Sequence, residues 1–166
     1  MRRLVMALSM FLSVLAALPA VAQSPYSQPL KPTGVTLQAV ALPARSIGQT
    51  VMRAKSTLAV AVQVAVEDYL PRGLEPTLLI DGVPAKTAGS GVVGMEGRVT
   101  TLSFVLDSPA LLKDGAELAI QMGDDARTRA AVPGRLRRQG IQPLDQSETQ
   151  RRGLPTLDEW LSRPSN

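Results

Sequence analysis

"STLAVAVQVAVEDY", residues 56–69, sets Leu58, Val60, Val62, Val64 and Val66 on every second position, with Ala59, Ala61, Gln63, Ala65 and Glu67 between them. Side chains of a strand alternate between two faces, so a spacing of two brings all five large apolar residues to one side. A helix would scatter them around its axis, and valine loses side-chain freedom there. Alanine favours helix, but the strict alternation outweighs that propensity. The segment predicts a central strand whose Leu58–Val66 face packs on a second sheet. Its alanine face is too apolar for open water and too small to fill a core. Such a face suits close approach by a terminal segment or a partner, or else alanine is simply tolerated on an exposed sheet.

On the N-terminal side, Val35–Leu42 ("VTLQAVAL") places Val35, Leu37, Ala39 and Ala41 together, and Thr50–Ala54 is a short apolar piece. On the C-terminal side, Pro71, Gly73 and Pro76 punctuate a loop, and Asp81-Gly82 between Ile80 and Val83 is a hairpin signal. "TAGSGVVGMEG", residues 87–97, reads as a flexible connection. Arg98–Asp107 aligns Thr100, Leu102, Phe104 and Leu106; Glu117–Met122 aligns Leu118, Ile120 and Met122. Ala126–Val132 gives a last, weaker strand before Pro133-Gly134. About seven short strands with turns every 8–12 residues, and no long helix, predict an all-β fold: an antiparallel β-sandwich, immunoglobulin-like in strand number and span. A small closed barrel is the rival.

Met1-Arg2-Arg3, the apolar run Leu4–Leu18 and Ala20-Val21-Ala22 have the three parts of a secretory signal peptide, with cleavage expected before Gln23. The run of about 15 residues falls short of a membrane span, and no later segment is long and apolar enough to make one. Residues 1–22 are therefore expected to be removed, 23–34 to form an extended leader and 35–133 the sandwich. Residues 134–153 ("GRLRRQGIQPLDQSETQRRG") are polar, Arg-rich and without apolar period, which predicts a flexible linker. Residues 154–166 hold a capping box, Thr156 to Glu159, with Leu157, Trp160 and Leu161 along one side of a short anchor helix.

The chain has 18 Lys and Arg against 14 Asp and Glu. Loss of Arg2 and Arg3 with the signal leaves 16 against 14, too mild an excess to argue by itself for a polyanion. With no His and no Cys, a Ser-His-Asp triad, a Cys-His pair and disulfides are excluded, and zinc, copper, haem and iron–sulfur sites lack their usual ligands. Asp81, Asp107, Asp114, Asp124 and Asp125 all lie beside turns, where Asp is favoured without any ion. No cofactor, metal or catalytic residue is expected.

Arg127, Arg129, Arg135, Arg137 and Arg138 fall within twelve positions, and Arg151 and Arg152 follow. Such a set can grip carboxylate or phosphate groups, or can form a solvated basic edge that discourages strand pairing. With two Phe and two Tyr to stack bases, an exported chain is not expected to bind nucleic acid. Trp160 is the single Trp, able to anchor a partner or to fold back on its own domain. The reading is a periplasmic or secreted, non-catalytic binding or structural module. It would dock on another envelope protein, acidic in character, or on an anionic surface, through those five arginines and Leu157, Trp160 and Leu161. The alternatives are a small-ligand carrier with an apolar cavity and a carboxylate-dependent hydrolase of envelope glycans.

Overall fold

The computed structural model describes residues 29–43, 45–47, 50–53, 55–67, 70 and 75–163. The signal peptide expected over 1–22 and the leader up to residue 28 lie outside them. The strands are β1 (Pro32–Leu42), β2 (Arg45–Ile47), β3 (Thr50–Arg53), β4 (Thr57–Glu67), β5 (Pro76–Ile80), β6 (Val83–Pro84), β7 (Gly89–Glu96), β8 (Val99–Leu106), β9 (Glu117–Met122), β10 (Ala130–Arg135) and β11 (Ile141–Gln142). Two short helices follow, α1 (Gln146–Arg151) and α2 (Leu157–Leu161).

The fold is an all-β sandwich. One sheet has five strands in the order β11-β1-β4-β8-β7, the other four in the order β10-β9-β5-β6. β2 and β3 pair only with each other among the described residues. The five alternating residues of β4 are at most 2% exposed and share one cluster with Phe104 of β8, Leu78 of β5 and Ile120 of β9. Asp81-Gly82 makes a two-residue hairpin loop, with Ile80 paired to Val83. Both turn residues have positive φ, 51° and 79°, as a loop matched to strand twist demands. No ladder joins the two sheets among the described residues, so they stay open and do not close into a barrel.

The strands of the two sheets number two more than sequence periodicity suggests, because β7 and β11 extend the larger sheet. β7 occupies most of the stretch expected as a flexible connection. All eight of its residues are exposed, so it shows none of the apolar alternation that burial of one face imposes. β11 runs parallel to β1, with Leu37 opposite Ile141 and Gln38 opposite Gln142, in a sheet otherwise antiparallel. The weaker strand expected over 126–132 is shifted: a 3₁₀ turn takes Ala126–Thr128, and β10 continues through Pro133 and Gly134 to Arg135. Proline is tolerated there because β10 is an edge strand.

The largest departure lies in residues 134–153. They were expected as a flexible linker, yet Leu136, Ile141 and Leu154 are 1%, 5% and 9% exposed and belong to the central cluster. Each is a lone apolar residue delivered by a turn or a two-residue strand, so their burial follows no period. The alanine face of β4 also resolves. Ala59 and Ala61 are buried but stand outside the inter-sheet cluster. On that face Ala61 lies between Gln38 of β1 and Val105 of β8.

Candidate functional site

The five arginines of 127–138 have five different surroundings. Arg127 makes a two-pronged pair with Asp125, Nη2 to Oδ2 at 2.9 Å and Nε to Oδ1 at 3.0 Å. The guanidinium holds the Asp125 carboxyl below its ordinary pKa, and its own pKa rises in turn. Arg138 is half-buried, donating from Nε to the carbonyl of Leu112 and from Nη2 to that of Pro109. Arg135 pairs with Glu117 at 2.7 Å and donates to the Gly115 carbonyl at 2.9 Å, with both charged side chains more than 60% exposed. Arg129 has a single long contact, to Gln121 Oε1 at 3.4 Å. Arg137 is exposed, and its side chain makes no hydrogen bond or ion pair among the described residues.

Arg129 and Arg135 come together on the outer face of the smaller sheet. They line one groove of about 550 Å³ with Glu117, Ala119, Ala131 and Gly134. The register explains the floor: Ala131 of β10 pairs with Ala119 of β9, and Arg135 with Glu117. Inward-facing Leu118 and Val132 hold these strands on the core, so the alternate positions must face out. The groove thus has a small apolar floor and two guanidinium groups, one of them without a carboxylate.

Leu157, Trp160 and Leu161 are turned towards the domain itself. Trp160 is 4% exposed and sits in the central cluster, against which Leu157 and Leu161 pack half-buried. Trp160 therefore fills the core rather than covering Ala59 and Ala61. The helix is started by the capping box read from sequence: Thr156 Oγ1 accepts from the Glu159 N–H, and Glu159 Oε2 accepts from the Thr156 N–H at 2.8 Å. These bonds hold the Glu159 carboxyl below its ordinary pKa. Asp145 caps α1 in the same way, accepting from the Ser147 hydroxyl and the N–H groups of Glu148 and Ser147, and its pKa falls too. Between the folded-back tail and the larger sheet lies a groove of about 400 Å³, lined in part by Ala39, Leu58, Ile141, Leu144, Leu157 and Leu161.

Three of the turn aspartates have structural partners, Asp125 through Arg127 as above. Asp81 Oδ1 accepts from the Glu117 N–H at 2.9 Å, and Asp114 Oδ1 from the Arg138 N–H at 2.7 Å. No group of three or more acidic side chains placed to share a metal ion occurs among the described residues. No helix among them is long and apolar enough to cross a membrane.

One surface was not legible in the sequence. Val92, Val93 and Met95 of β7 are 51%, 58% and 62% exposed. The signal available was three apolar residues in a glycine-rich stretch, which composition alone assigns to a loop. Comparison of the chain with protein-family models, with curated proteins and with solved structures finds no match.

Proposed function

We propose that the protein is an exported, non-catalytic binding module that docks on an acidic surface of another envelope protein through the groove of Arg129 and Arg135. One observation carries this reading: two arginines share an open groove with an alanine floor, and Arg129 meets no carboxylate there. Guanidinium groups recognise carboxylates through two parallel hydrogen bonds, and small floor residues let a partner's backbone come close. Arg137, two residues on and without an ion pair among the described residues, adds positive charge nearby in the chain. Export rests on the N-terminal sequence pattern, and the absence of His and Cys favours binding over catalysis.

The test is capture of envelope proteins on the immobilised protein, compared with an Arg129→Gln/Arg137→Gln variant. Capture of an acidic partner at low salt should weaken about tenfold in the variant and fall with ionic strength, as expected for exposed charge pairs. Capture that ignores both substitutions and salt, or no specific capture at all, would overturn the proposal. The carrier alternative has one observation in its favour, the groove of about 400 Å³ beside α2. That volume suits a small ligand, and binding of an apolar dye that Leu161→Asp abolishes would support it.

A further inference from the structure

The sandwich has four sheet edges, and three are blunted. β11 and β6 are two residues long, and β6 ends on Pro84. β10 carries Pro133 and ends on Arg135. Shortness, proline and cationic side chains all discourage an added strand. β7 is different: eight residues, paired with β8 on one side through a ladder that a bulge interrupts between Val92 and Gly94, and among the described residues with no strand on the other. Val92 lies opposite Leu102, and Met95 opposite Thr100. Leu102 and Thr100 are buried, so Val92 and Met95 prolong the core-facing surface past the end of the smaller sheet. Gly89, Gly91 and Gly94 have open space where a Cβ would stand, so no described element covers the sheet face at these positions.

The charges of this strand say what fits it. Residues 87–95 carry none, while Lys86 precedes them and Glu96 closes them. Neither side chain has an ion pair or hydrogen bond among the described residues. Two β7 strands laid antiparallel about a two-fold axis near Gly91 bring Lys86 of each copy, three residues before the strand, to the end where Glu96 of the other lies. Both ends are matched by one operation, and that symmetry is the commonest among oligomers. A parallel arrangement would set like charges together.

We propose that β7 is the seam of a symmetric dimer, in which a second copy of this chain adds its own β7 antiparallel and the two larger sheets become one. Each copy has one such edge, so assembly stops at two. Val92 and Met95 of both copies then share a single apolar strip. The seam is separate from the arginine groove and stands or falls independently of it.

Sedimentation velocity of the purified protein over a dilution series, at low ionic strength, tests the seam. The protein should pass from dimer to monomer on dilution. Lys86→Glu and Glu96→Lys should each raise the dissociation constant about tenfold or more, since like charges then meet at both ends. An equimolar mixture of the two variants should regain the original affinity, because opposite charges meet again across the seam. The double variant should regain it too. Thermal melts at dilutions where parent and variants are all monomeric should match, as both side chains are exposed. A monomer at every concentration would overturn the proposal, and so would a dimer indifferent to the charge reversals.

Discussion

The guanidinium of Arg138 reaches carbonyls that lie 26 and 29 positions earlier in the chain. It ties the segment after β10 to the loop after β8. Leu112, whose carbonyl it satisfies, is fully buried. Arg138→Ala should therefore cost about 1–3 kcal/mol, the usual penalty for leaving a buried acceptor without its donor. Arg137→Ala should stay within about 0.5 kcal/mol, as exposed side chains without partners do. Urea denaturation of the two variants would measure the difference, and equal losses would refute it. Position in the chain gave no means of separating these neighbours, because the distinction depends on which loop happens to face each side chain. The same holds for Trp160. Its helix was legible from Thr156 and Glu159, but whether it meets its own core or a partner is decided by how the sandwich packs around it.

Among the elements, strands with one buried face were the readable ones. β4, β8 and β9 alternate because the inter-sheet core selects every second residue, and β9 matches its expected bounds. β7 has no buried face and β11 is two residues long, so neither leaves a pattern. α1 has an Asp-x-x-Glu start at Asp145 and Glu148, but that signal sits in a polar stretch with no apolar stripe. The caps of α1 and α2 give these helices a definite pH response. Asp145 and Glu159 both ionise more readily in the folded chain, so their stabilising effect is complete above the ordinary carboxylate pKa of about 4. It is lost as pH falls through the lowered folded values. Trp160 emission should stay constant from neutral pH down to about 5 and move red only below about 4, as α2 loosens. A red shift centred well above that range would show that some other group governs the tail.

For the molecule as a whole, the C-terminal segment is part of the sandwich rather than an appendage. It supplies Ile141, Leu154 and Trp160 to the central cluster and β11 to the larger sheet. Deleting residues 141–166 should therefore lower the melting temperature by several degrees or more, since loss of a buried Trp alone commonly costs about 3–5 kcal/mol. The truncated protein should also bind hydrophobic dyes that the complete one does not. An unchanged melting temperature without dye binding would show that the segment contributes nothing to the fold. The parallel pairing of Leu37 with Ile141 also orders events in time. One of the earliest strands in the chain waits for a neighbour about a hundred positions later, and contacts that distant form slowly because so much chain must be brought round first. A polypeptide emerging end-first would hold β1 half-flanked through most of its emergence, and would complete that sheet only once Ile141 and Gln142 had arrived.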